Sequence, residues 1–92
     1  MGYPKFFTPN GDGIHDNWNV LGVETLTNPS VFIFDRFGKL LKQLDVNSLG
    51  WDGTFNGRQL PSSDYWFRLD YDRDVEGVFV ARSVRRHFSL VR

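Results

Sequence analysis

The chain has 92 residues, no cysteine, and eleven basic against eleven acidic side chains, so its formal net charge is zero. This length allows one small domain with a single core, and an aromatic content of 16% is typical of a folded chain. The lack of cysteine excludes a disulfide-stapled miniprotein and a thiolate metal site, and the balanced charge gives no support for nucleic-acid binding.

The first motif along the chain is a turn-rich segment at residues 8–16, TPNGDGIHD. Against the calcium-loop pattern, the oxygens at positions 3, 5, 7 and 9 belong to Asn10, Asp12, the main chain of Ile14, and Asp16. Positions 1 and 12 hold Thr8 and Asn19, so two strong anionic ligands are missing. A weak calcium site and a turn capped by its own side chains both stay open, and we favour the capped turn, which needs no cofactor.

Strand patterns dominate the chain after this turn. Residues 31–34 and 39–44 flank a turn containing Gly38, residues 65–71 alternate apolar and polar side chains, and apolar side chains recur at even positions from 78 to 90. Turn signals separate these runs, and no window carries an uninterrupted helical stripe. The pattern predicts an all-β fold, an Ig-like antiparallel β-sandwich of about seven short strands with little or no helix.

Charge is distributed unevenly along the chain. Residues 1–76 hold eleven acids and seven bases, a net charge of −4, whereas residues 77–92 hold four arginines and no acid. We call these four residues the basic strip: Arg82, Arg85, Arg86 and Arg92. A strip of this kind is either a solvated strand face or a surface for an acidic partner.

The sequence offers no catalytic constellation. Its two histidines, His15 and His87, lie in a glycine-rich turn and in the basic terminal segment, and neither neighbours a patterned serine with an orienting acid. The alternating acids Asp70, Asp72 and Asp74 are typical of an edge strand that carries charge against edge-to-edge pairing. We therefore predict that this domain is not an enzyme.

The aromatic residues permit two interpretations. A sugar-stacking platform would use exposed rings, and core filling would bury them. The rings concerned are Tyr3, Trp18, Trp51, Tyr65, Trp66 and Tyr71. We favour core filling, because little other bulky material is present to fill a small sandwich.

Five blocks, taken in order, resemble a known family. They are FTPNGDGIHD at 7–16 followed by Trp18, VFIFDRFGKL at 31–40, GWDGTFNG at 50–57 followed by LPS at 60–62, DYWF at 64–67, and HFSLVR at 87–92. Together they resemble the gliding-motility-associated C-terminal domain, the type B C-terminal signal of the type IX secretion system of Bacteroidetes. The chain departs from the family pattern at His15, at residues 62–64 (SSD), at Arg86 and in the loop from Asp72 to Gly77.

The resemblance implies a delivery role. Residues 1–92 would form a single C-terminal sorting domain of a larger exported protein, and Met1 and Gly2 read as an added expression start. The implied partners are the outer-membrane translocon, a membrane protein of the PorP/SprF type, and cargo domains on the N-terminal side of the same polypeptide. Export would lead through the periplasm and the outer membrane to the cell surface or medium. We expect a monomer that binds no nucleic acid and does not itself insert into the membrane, since no apolar run reaches the roughly 20 residues of a membrane span.

The uneven charge and the family resemblance both point to the basic strip. We predict that an exposed terminal strand is recognised by the translocon through charge, through β-addition or through both, while Phe88 and Leu90 belong to the core. The residues predicted to be recognised are Arg82, Arg85, Arg86, His87 and Arg92. The alternative is an accessory β-sandwich module that binds carbohydrate or mediates calcium-dependent adhesion.

Overall fold

Period-two alternation of apolar and polar side chains produces β-strands through most of the chain. A computed structural model describes residues 2–9, 11, 16–44 and 50–92. The strands in these residues are β1 (Phe6–Phe7), β2 (Thr27–Phe34), β3 (Leu40–Leu44), β4 (Thr54–Phe55), β5 (Arg58–Gln59), β6 (Ser63–Val75) and β7 (Val78–Leu90). A one-turn 3₁₀ helix, Val23–Thr25, precedes β2. The predicted all-β class is confirmed.

The strands form one large and one small sheet. The large sheet has the order β1-β7-β6-β2-β3, and β4 pairs with β5 in a separate ribbon. Pairing is antiparallel except between β1 and β7, where Phe6 lies opposite Ser89 and Phe7 opposite Leu90 in parallel register. The antiparallel pairing that we predicted holds for the other described strand pairs, and β1–β7 departs from it.

The β6–β7 hairpin is longer than the sequence predicted. Each strand has 13 residues, and the register runs without a shift from Ser63 opposite Leu90 to Val75 opposite Val78. Glu76 and Gly77 form the turn with φ of 52° and 84°, the left-handed pair that a tight two-residue hairpin requires. The segment from Asp72 that we expected to be a loop is thus mostly strand, and the turn is confined to these two residues.

One face of the large sheet carries the core. Trp18 and Trp51 are 0% and 1% exposed, and each main-chain N–H donates to the other's carbonyl at 2.8 Å. The buried apolar side chains are Phe7, Trp18, Val20, Val23, Val31, Ile33, Leu44, Trp51, Tyr65, Phe67, Leu69, Phe88 and Leu90. The prediction that Phe88 and Leu90 belong to the core is confirmed.

The predicted apolar face of β7 is only partly buried. Phe88 and Leu90 pack in the core, but Val78, which shares their parity, is 63% exposed. β2 pairs with β6 no further than Asp72, so the hairpin tip extends beyond the rest of the sheet. Apolar side chains at the tip therefore have no strand beyond β6 and β7 to pack against in the described chain.

Candidate docking surface

The edge of β7 is the longest open strand edge of the large sheet. β7 pairs with β6 along its whole length, but on its other side β1 reaches only Ser89 and Leu90. Within the described residues, the stretch from Val78 to His87 has no strand partner on that side. In this stretch of the described chain, the main-chain groups that point away from β6 have no strand partner, and of these only the Arg85 carbonyl accepts a side-chain hydrogen bond, from Arg86 Nη1.

The basic strip divides between the two faces of the sheet. Because the β6–β7 register has no shift, side chains alternate strictly along β7. Arg82 and Arg86 share the parity of Phe88 on the core side, whereas Arg85 and His87 lie on the opposite, outer face. These three arginines and His87 are exposed, so they flank the β7 edge from both sides of the sheet and do not form one flat surface.

Arg92 is engaged inside the domain. Its guanidinium donates through Nε to the carbonyl of Leu60, through Nη1 to that of Pro9 at 3.2 Å, and through Nη2 to that of Gly53 at 3.0 Å. Its main-chain N–H donates to Ser62 Oγ at 2.8 Å. These bonds tie the end of the described chain to three loops, so Arg92 contributes to holding the fold, and its predicted recognition by the translocon stays a prediction.

The outer face of the sheet carries a cleft that the sequence analysis did not anticipate. The cleft has a volume of about 310 Å³, and we call it the outer cleft. Its lining residues are Phe34, Asp35, Arg36, Gly38, Trp66, Arg68 and Arg85. The shared even parity of Phe34, Trp66 and Arg68 can be read from the sequence. The strand pairing that brings them together cannot.

Arginine and aromatic groups are layered on this face. The guanidinium carbon of Arg68 lies 4.7 Å from the ring centroid of Phe32 and 5.6 Å from that of Phe34. Arg68 Nε also donates to Asp70 Oδ2 at 3.1 Å. Trp66 is 39% exposed, with the ring of His87 at 5.4 Å. Core filling is therefore wrong for Trp66, although it is confirmed for Trp18 and Trp51.

Several of the aromatic rings considered for a sugar-stacking platform are buried in the structure. Trp18, Trp51 and Tyr65 are 0%, 1% and 4% exposed, and Tyr3 packs edge-on against Phe67 at 4.9 Å. The six aromatic rings singled out in the sequence therefore do not form an exposed platform together.

The calcium hypothesis falls mostly outside the described residues, which omit Asn10, Asp12 and Ile14. Asp16 is described, and its Oδ1 accepts a hydrogen bond from the Gly11 N–H at 3.0 Å. This contact is of the turn-capping kind. Among the residues that the structure describes, no three His, Asp or Glu side chains are grouped to hold a metal ion. The calcium site stays a prediction.

One titratable group near the basic residues has a displaced pKa. Burial raises the pKa of the Tyr65 hydroxyl above its usual value, with Arg92 and Arg36 opposing the shift and Asp35 adding to it. The hydroxyl donates to the carbonyl of Pro61 at 2.9 Å. Tyr65 therefore acts as a neutral hydrogen-bond donor at the base of the β6 strand.

Comparison with known proteins identifies the domain. No helix in the described chain is long and apolar enough to cross a membrane. Neither a curated protein nor a solved structure matches the sequence. The family model for the CHU_C type IX secretion signal domain matches residues 1–81, so the match ends just before Arg82 and leaves the basic strip outside it. Since the match spans β1 to β6 and the start of β7, the chain belongs to the CHU_C type IX secretion signal domain family and serves as a targeting domain for type IX secretion.

Proposed function

We propose that the type IX machinery reads this domain along the open edge of β7, between Val78 and His87. The reader is an outer-membrane protein of the PorP/SprF type, which adds a strand to this edge. The contact commits the cargo domains of the same polypeptide to passage from the periplasm across the outer membrane, to the cell surface or the medium. The domain itself contributes recognition and no chemistry.

The direction of the main-chain groups supports strand addition. The N–H of Ser89 donates to the carbonyl of Lys5, and that of Val91 donates to the carbonyl of Phe7, both at 2.9 Å, so odd residues of this segment present their main-chain groups away from β6. By alternation, Ala81, Ser83 and Arg85 face the same way where no strand covers them. An incoming strand would find donors and acceptors already aligned.

The charges beside this edge support an acidic partner. The side chains of Arg82 and Arg85 make no hydrogen bond or ion pair to any described residue, and Arg86 Nη1 donates only to the Arg85 carbonyl at 2.8 Å. Three guanidiniums thus flank one strand edge from both faces. Such a charge pattern accelerates encounter with an acidic surface and suppresses pairing with basic ones.

The experiment is an export assay with a reporter fused to the N-terminal side of the domain, behind a signal peptide, in a bacterium with a type IX system. The variant Ala81→Pro removes one outward N–H, and proline is tolerated at an edge where that N–H faces solvent. The matched control Ala81→Ser keeps the N–H. We expect the native domain and the control to export the reporter, while Ala81→Pro retains it inside the cell without unfolding. Export of a folded Ala81→Pro fusion at the native level would contradict strand addition.

A further inference from the structure

The outer face of the sheet places rings and cations in two adjacent cross-strand rows. In one row Phe34 lies opposite Trp66, which lies opposite His87. In the next row Phe32 lies opposite Arg68, which lies opposite Arg85. No described strand covers this face, so both rows stand at the surface of the domain beside the β7 edge.

The second row contains a like-charge pair. Arg68 and Arg85 are directly opposed across β6 and β7, an arrangement that destabilises a sheet. Asp70 balances Arg68, but no described residue balances the Arg85 side chain. Unfavourable local interactions that nothing compensates concentrate at functional sites. An anion bound beside Arg85 would compensate the repulsion between Arg68 and Arg85.

The outer cleft gathers that unbalanced charge. Arg36, Arg68 and Arg85 line it together with a single acid, Asp35. The Asp35 carboxylate is already engaged, because its Oδ1 accepts hydrogen bonds from the N–H groups of Phe37 and Lys39, both at 2.9 Å. The cleft therefore presents guanidinium donors beside the exposed ring of Trp66.

We propose that the outer cleft binds an acidic peptide segment of the partner protein. Its carboxylates pair with Arg85 and Arg36, and an adjoining apolar or aromatic side chain packs on Trp66. The site deepens the proposed function and rests on it, since it states the chemistry of the segment that approaches the β7 edge.

The surroundings of the cleft favour a short acidic peptide over other anions. Asp64, Asp70 and Asp72 share the outer-face parity of β6 and border the basic groups at both ends. They would repel a long phosphate backbone, which needs an extended basic track. The three guanidiniums that line the cleft are donors without acceptor capacity, a set that matches the acceptor-only oxygens of a carboxylate.

The test measures binding of the 92-residue chain to a short peptide of alternating glutamate and tyrosine, with a glutamine-tyrosine peptide for comparison. Calorimetry gives the affinity. Acrylamide quenching reports the site directly, because Trp66 is exposed while Trp18 and Trp51 are buried. We expect the acidic peptide to bind and to protect Trp66 from quenching, and the glutamine peptide to do neither.

The matched variants are Arg85→Gln and Arg73→Gln, which remove the same charge from the outer face of β7 and from the opposite face of β6 near the hairpin tip. Loss of a charge-assisted pair predicts about tenfold weaker binding for Arg85→Gln and native affinity for Arg73→Gln. Equal weakening in both variants, equal binding of the glutamine peptide, or binding only to anionic vesicles or single-stranded DNA would overturn the proposal. Because the assay needs no export, its failure is separate from failure of strand addition at β7.

Discussion

The indole of Trp18 lies flat on the ring of Phe88, with centroids 4.0 Å apart and planes inclined by only 13°. Both side chains are fully buried, and Trp18 Nε1 donates to the carbonyl of Pro4 at 2.7 Å. The stack joins the last strand to the segment before β2. β7 therefore builds the core and also presents the edge that we propose is recognised.

Truncating Phe88 tests the structural role of β7. Phe88→Ala leaves a cavity among five aromatic rings, so we expect the free energy of unfolding to fall by about 3–5 kcal/mol. Arg85→Gln, an exposed neighbour on the same strand, should change it by less than about 0.5 kcal/mol. Urea denaturation measures both, and equal stability of the two variants would refute the role assigned to the stack. Deleting residues 85–92 would remove Phe88 and Leu90 as well, so it cannot separate recognition from folding.

Gly50 allows the two buried tryptophans to approach each other. Its φ is +107°, and an added Cβ would lie 2.7 Å from the Trp18 carbonyl oxygen. Gly57 has φ +78° with nothing near its Cβ position, so Gly57→Ala incurs the backbone strain without the clash. We expect Gly57→Ala to lose about 1–3 kcal/mol of stability and Gly50→Ala distinctly more. Thermal unfolding of the two proteins checks the order, and the reverse order would contradict the close approach of the two tryptophan segments.

Arg92 is expected to stabilise the fold. Arg92→Gln removes charge-assisted bonds to the carbonyls of Leu60, Pro9 and Gly53, and should lower the free energy of unfolding by about 1 kcal/mol. Arg58→Gln removes the same charge from the exposed strand β5 and should leave stability unchanged. The assignment fails if urea titration finds the two variants equally stable.

The raised pKa of Tyr65 predicts that the domain loses part of its stability in alkaline solution. Its pKa is raised in the folded chain, chiefly by burial, so the neutral phenol stabilises the fold below the unfolded-state pKa. That contribution is lost as the pH rises through the folded-state pKa. Tyr65→Phe lacks the bond to Pro61 and should be about 1 kcal/mol less stable near neutral pH.

The pH dependence of that difference is the measurement. Unfolding free energies of the native and Tyr65→Phe chains at about pH 9 and about pH 11 bracket the usual tyrosine pKa of about 10. Other titrating groups contribute to both proteins, so their difference isolates Tyr65. We expect the native advantage to shrink at the higher pH, and a constant or growing advantage would contradict the raised pKa.

Local sequence patterns predicted the strands at 31–34 and 65–71 because their alternation has a period of two. They also placed Phe88 and Leu90 in the core. Local patterns could not predict the parallel pairing of Phe6 with Ser89, because a register between distant segments leaves no local periodicity.

The arrangement of the proposed docking residues was only half predictable. The even numbers of Arg82 and Arg86 and the odd number of Arg85 already implied opposite faces, and that parity could have been used. The outer cleft was not readable in this way, since it depends on β2, β6 and β7 lying side by side. The bonds of Arg92 to three separate loops likewise have no local signature.

The most direct test of recognition at the β7 edge is reporter export by the double charge reversal Arg85→Glu with Arg86→Glu. The control reverses two arginines away from this edge, with Arg58→Glu and Arg73→Glu. The melting temperature of each purified domain establishes that it is folded. We expect the first pair to retain the reporter within the cell and the control to export it like the native domain. Native-level export by a folded Arg85→Glu, Arg86→Glu domain would contradict recognition at the β7 edge.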